Sequence, residues 1–178
     1  MRRTLIFLAF LFVLGCAEKH ESLNTHFKSF GFDEIPDSSF LNQPKVKFDT
    51  SDYIIQPKHL QKYYDHPGEL GYIAEGKDYG FDSLSIFMAM TLPNGGPPLH
   101  THDIDELHVV YEGTVEYIIN KKQFTAKGPY IVKIPAGAPH AFVNRGGTPI
   151  NVLGILPENI ATYQEIGPNP LLEKKVIN

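Results

Sequence analysis

The chain is poor in cysteine, in clustered basic charge and in long apolar runs. Its one cysteine, Cys16, excludes an intrachain disulfide and argues against a thiolate metal site. Sixteen Lys and Arg stand against 20 Asp and Glu, a net charge of −4. No basic stripe gathers anywhere, so nucleic acid is not expected as a partner. The longest apolar run, Leu5 to Leu14, is shorter than the about 20 residues a helix needs to cross a bilayer. Helical periodicity is nearly absent, and there is neither an internal repeat nor a sign of a second domain.

The opening MRRTLIFLAFLFVLGC reads as an export signal: Arg2 and Arg3, the apolar run, then small Gly15 before the cysteine. VLGC looks like a lipobox, where bacterial lipoproteins are cleaved and acylated. By that likeness Cys16 becomes the lipidated N-terminus of an exported protein on the periplasmic or extracellular side. It would be held to the membrane through lipid only. An uncleaved anchor and an ordinary cleaved signal are the alternatives. Removing residues 1–15 takes away Arg2 and Arg3 and no acid, leaving 14 basic against 20 acidic residues, a charge of about −6. Residues 16–32 then form a polar tether, 33–79 an arm and first strands, 80–165 a barrel core and 166–178 a tail.

Short alternating runs broken by Gly, Pro and Asp predict an all-β sandwich or barrel. Leu84, Ile86, Met88, Met90 and Leu92 alternate with smaller or polar residues, apart from Phe87, and are expected to face inward. Val115, Tyr117 and Ile119 form a second inward set, and Asn120 with Lys121 and Lys122 suggests a hairpin turn. Ile131 to Ile134 and Ile150 to Leu156 supply further strands. The segment HLQKYYD, from His59 to Asp65, reads as the end of a strand pair or, alternatively, a short helix.

The chemistry lies in two segments, HTHDIDELHVVYEG from His100 and PAGAPHAFVN from Pro135. Residues two apart in a strand share a face, so His100 and His102 aim together. Glu106 has the same parity, but a straight strand at roughly 3.3 Å per residue would put it about 20 Å from His100. A metal whose ligand bonds are about 2.1 Å could not span that. The chain must therefore bend at Asp103 to Asp105. After the bend Glu106, His108 and Val110 share a face. Pro135, Gly137 and Pro139 predict a tight turn, followed by His140, Phe142 and Asn144 on one side of a strand; Asn144 is expected to fix backbone. His20, His26, His59 and His66 lack such context and read as solvated surface or loop residues.

These spacings resemble the cupin motifs G(X)5HXH(X)3–4E(X)6G and G(X)5PXG(X)2H(X)3N. His100 to Gly113 and Pro135 to Asn144 match without a gap. The leading glycines depart: Gly95 leaves four residues before His100, and Gly128 leaves six before Pro135. The resemblance implies a double-stranded β-helix, the jelly-roll barrel, over approximately Gly80 to Pro157. It also implies His100, His102, Glu106 and His140 as ligands of one divalent transition metal. Imidazole with carboxylate suits Fe, Mn, Ni, Co, Cu or Zn, and three imidazoles with one carboxylate leave two open positions on an octahedral ion.

The segment is further similar to quercetinase-type dioxygenases, which implies an enzyme acting on a small enolic or phenolic substrate. There Glu106 would serve as ligand and as base for the substrate hydroxyl. Met88, Met90, His108, Tyr117 and Phe142 are candidates to line the substrate cavity, with ordinary core as the alternative for the two methionines, Tyr117 and Phe142. His108 is either a hydrogen-bond donor to substrate or ligand, or a buried histidine satisfied by backbone. A non-enzymatic metal- or small-ligand-binding lipoprotein and a cupin isomerase stay open as functions, since one fold hosts many chemistries. No phosphate clamp is visible near the motifs. A homodimer through the sheets is a further expectation from the family.

Overall fold

The computed structural model describes residue 28 and residues 40–41, 44–65 and 68–172. Cys16, the export signal, the tether's His20 and His26, and His66 lie outside the described residues. Every described strand belongs to the unit Pro36–Asn178.

Twelve strands follow one another: β1 (Phe40–Leu41), β2 (Gln61–Asp65), β3 (Glu69–Ala74), β4 (Ser85–Thr91), β5 (Leu99–Thr101), β6 (Glu106–Val110), β7 (Thr114–Ile119), β8 (Lys122–Lys127), β9 (Tyr130–Ile134), β10 (His140–Asn144), β11 (Ile150–Leu156) and β12 (Gln164–Gly167). A 3-10 turn at Pro57–His59 and a one-turn helix α1 (Gly76–Tyr79) interrupt them. The strands form a seven-stranded sheet in the order β1-β2-β3-β4-β11-β6-β9 and a five-stranded sheet in the order β12-β5-β10-β7-β8. Every pairing is antiparallel. This is a jelly-roll barrel.

Local sequence explains the joints. Asn120 adopts φ 47°, a left-handed conformation asparagine tolerates, and closes the β7–β8 hairpin. Val110, Val115, Tyr117, Ile134, Phe142 and Ile150, each no more than 2 % exposed, fill the space between the sheets. Full burial of such a side chain contributes about 1.5–3 kcal/mol. Behind the Pro135 turn all five residues of β10 are buried, so this strand is packed on both faces.

Two expectations fail. In β4 the inward residues are Phe87 and Ala89, not the even-numbered set: Met88 is 37 % exposed and Met90 packs on the opposite face, its register partner being buried Leu70. The strand is apolar on both faces, so alternation alone could not fix its direction. His59 is buried rather than solvated. Its Nδ1 accepts the Gln56 N–H at 3.2 Å and its ring lies 5.5 Å from that of Phe48. The segment after it is strand β2, not a helix.

Candidate metal centre

His100 stands in the three-residue strand β5, directly opposite His140 of β10. His102 follows the end of β5, and the chain then turns across from the five-stranded to the seven-stranded sheet, where Glu106 opens β6. The bend is tied to the proline-glycine turn. Ala136 N–H donates to Asp105 Oδ1 at 2.9 Å, and Gly137 N–H donates to the His102 carbonyl at 2.7 Å. Gly137 has φ 69°, a conformation that favours glycine. One ligand atom from each of His100, His102, Glu106 and His140 falls within 4.8 Å of the others, and all four residues are buried.

Each of the three imidazoles has its Nδ1 committed to a carbonyl, which can only accept. His100 Nδ1 donates to Pro98 O at 2.8 Å, His140 Nδ1 to Ala138 O at 2.9 Å, and His102 Nδ1 to Thr162 O. These bonds fix the tautomer, leaving a bare lone pair on every Nε2. Glu106 Oε1 accepts a hydrogen bond from His108 Nε2 at 3.1 Å. Its Oε2 lies 3.1 Å from His140 Nε2 and 3.4 Å from His102 Nε2. Buried Glu106 Oε2 and His140 Nε2 have no hydrogen-bond partner. Buried polar atoms are nearly always paired, so convergent bare lone pairs signal a cation.

Electrostatics agree. Burial, with a smaller contribution from neighbouring His140, pushes the His100 imidazole down to about 3, and burial also lowers that of His102. Both therefore stay neutral, as ligands must. Burial works to raise the Glu106 carboxyl, but the adjacent His108, which donates to it, holds it well below the usual carboxylate range. Behind Glu106, a Cβ added at Gly154 would stand 2.9 Å from Oε1, so glycine leaves the carboxylate its room. The donor set fits one divalent transition metal, of Fe, Mn, Ni, Co, Cu or Zn type.

Residues 87–156 match the cupin domain. The family model is Cupin_2, and no curated protein sequence matches the chain. Among solved structures the fold is similar to oxalate decarboxylase of Lactobacillus farciminis in a formate complex, at 18% identity and TM-score 0.56, over 60% of this chain and 33% of that one. It is similar to Bacillus subtilis oxalate decarboxylase, whose Mn(II) centres have been characterised, at 16% identity and TM-score 0.54, over 57% and 29%. Peruvianin-I, a cysteine peptidase from Thevetia peruviana latex, aligns at 15% identity and TM-score 0.58, over 76% and 90%. The chain thus spans about a third of the length of these decarboxylases. At such identities the likeness is one of fold.

Beside the metal centre lies a cavity of about 340 Å³. His108 and Phe142 line it, as the strand parity anticipates. Tyr117 does not: it is fully buried behind them, its ring centroid 6.0 Å from that of His108 and 5.6 Å from that of Phe142. Met88 and Met90 do not line it either, for the reason given by β4. Instead Phe87 and Ala89 do, together with Tyr63, Glu69 and Tyr163 from outside the motifs. Phe87 was visible as the break in the β4 alternation. Tyr63, Glu69, Tyr163 and the Thr162 carbonyl carried no local signal, because only the closed barrel brings β2, β3 and the segment before β12 to the centre.

Proposed function

We propose that the chain is a metal-dependent dioxygenase of the cupin type, acting on a small enolic or phenolic substrate. The observation that carries this is the combination of a lone-pair cluster and its neighbouring cavity. Phe87, Phe142, Tyr63 and Tyr163 supply its aromatic walls, and its described lining holds no lysine or arginine. A planar aromatic substrate suits such walls. A small dianion such as oxalate would have the metal as its one strong cationic partner and no lysine or arginine in the described lining for its far carboxylate, which favours the phenolic reading over that of the decarboxylase neighbours.

When bound, the metal supplies Lewis acidity for the substrate hydroxyl and a meeting place for dioxygen. The chain's own residues do the rest. The Nδ1 bonds from His100, His102 and His140 hold the imidazoles in place. His108 Nε2–H holds Glu106 by Oε1. Glu106, held in this way, would be the group to take the proton of the substrate hydroxyl. Phe87 and Phe142 keep water from the reacting atoms. Both oxygen atoms enter the substrate as a ring carbon–carbon bond breaks, so no external reductant is consumed.

The test is oxygen uptake by metal-reconstituted protein against flavonols, catechols and β-diketones. Uptake with a product heavier by two oxygen atoms supports the reading. Silence across the panel with the metal retained favours a binding protein. We further infer that the mature protein is exported and lipidated at Cys16, on the strength of the signal and VLGC sequence.

A further inference from the structure

We propose that the substrate carries an ammonium group, recognised by Tyr163 and Glu165 at the mouth of the cavity. The inference rests on the reading of an oxygen-chelating substrate given above. Strand β12 runs antiparallel beside β5, with Glu165 directly opposite His100. Residues opposite one another on paired strands project to the same face, so Glu165, an exposed residue, leaves its strand on the side of a metal ligand. Tyr163, two residues earlier, stacks on the His100 ring at 4.8 Å and 24° and meets the His102 ring edge-on at 5.8 Å and 61°. It is 45 % exposed, and both residues line the cavity. Tyr163 therefore borders both solvent and the centre where buried Glu106 Oε2 and His140 Nε2 await a cation.

Aromatic rings continue inward: the Phe87 centroid is 6.2 Å from that of His102, and that of Tyr63 is 6.3 Å from that of Phe87. Glu75, also in the lining, is paired with Lys77, which is not. A ligand that gives up a hydroxyl proton at the metal brings negative charge into a cavity whose described lining offers carboxylates and ring faces but no lysine or arginine. A second anionic group on that ligand would be repelled. An ammonium group would find a tyrosine face and a carboxylate together, the pairing that cation recognition uses.

The experiment compares three catechols that share one chelating head: methylcatechol, dopamine with its ammonium, and dihydroxyphenylacetate with its carboxylate. Each is titrated calorimetrically into the full chain loaded with zinc, which has no redox chemistry and so permits no turnover. Dopamine should bind about tenfold more tightly than dihydroxyphenylacetate, a preference that shrinks as salt is raised. Glu165→Gln and Tyr163→Leu should each remove most of that preference, and Glu165→Gln should leave methylcatechol affinity nearly unchanged. Equal affinity of the charged catechols, or an undiminished preference in Glu165→Gln, overturns the proposal. Oxygen uptake without charge preference would remove this inference alone. Failure of all three to bind would remove the chelating-substrate reading, and the inference with it.

Discussion

Glu106 Oε2 and His140 Nε2 face each other across 3.1 Å inside the barrel, and neither has a hydrogen bond. With His140 Nδ1 already donating to Ala138 O, no proton is available between them in the neutral tautomer. Two lone pairs held so close are unfavourable without a cation. The fold thus accepts a cost that ion binding reverses.

The full chain reconstituted with a transition metal should accordingly hold about one ion per chain. His100→Ala or His140→Ala should lose most of it, and the loaded wild type should melt at a higher temperature than the chelator-treated form. Elemental analysis and thermal denaturation check this. Unchanged metal content in both variants would falsify the site.

Acid should destabilise the metal-free protein. The His100 imidazole is held at about 3 in the fold against 6.5 when unfolded, so the unfolded chain takes the proton first. The stability this group supports is therefore full above about pH 6.5 and falls steadily as pH drops towards 3. His102 acts in the same direction, and Glu106, also depressed, adds to the loss at lower pH still. Denaturant unfolding from neutral to about pH 5 should show the decline; a flat profile would contradict a buried neutral His100.

Gly154→Ala should weaken metal binding more than it weakens the fold. The new methyl would press on Glu106 Oε1 at 2.9 Å and on Phe87 Cβ at 3.3 Å. Overpacking of this kind costs about 1–3 kcal/mol. Displacing the carboxylate should reduce metal affinity about tenfold or more. A metal titration beside a denaturation curve separates the two, and unaltered affinity would show that Glu106 can move without consequence.

Asn144→Ala should be costly to stability although the residue touches no ligand. Its Nδ2 donates to Thr91 O at 3.0 Å and Thr148 O at 2.8 Å, and its Oδ1 accepts the Gly146 N–H at 2.8 Å. Leaving such groups unpaired costs about 1–3 kcal/mol each. A midpoint shift in urea unfolding measures it, and a shift within error would make these bonds dispensable.

On the proposal that Cys16 is lipidated, Cys16→Ser should move the protein from the membrane to the soluble fraction. Persistent membrane attachment would point instead to an uncleaved apolar anchor.

The metal centre was legible because its constraints are local. His100 and His102 share a parity, the Asp103–Asp105 bend is forced by distance, and Pro135 and Gly137 announce the turn before His140. Strands with one clearly polar side, such as β7, read correctly for the same reason. Strand β4 did not, because Phe87 and Ala89 on one side are as apolar as Met88 and Met90 on the other. The cavity was least legible. Tyr63, Glu69 and Tyr163 reach it only through strand order, β2 and β3 at one side and β12 at the other, and strand order is written in no short stretch of sequence. His59 misled because its burial depends on Phe48 and a 3-10 turn.

His100 and His140 belong to the five-stranded sheet, whereas Glu106 belongs to the seven-stranded one, and no strand pairing joins the two sheets among the described residues. An ion held by all of them would be a rivet through both layers. Its departure and the parting of the layers would then be a single opening, so the rate of metal exchange should report how often the barrel breathes.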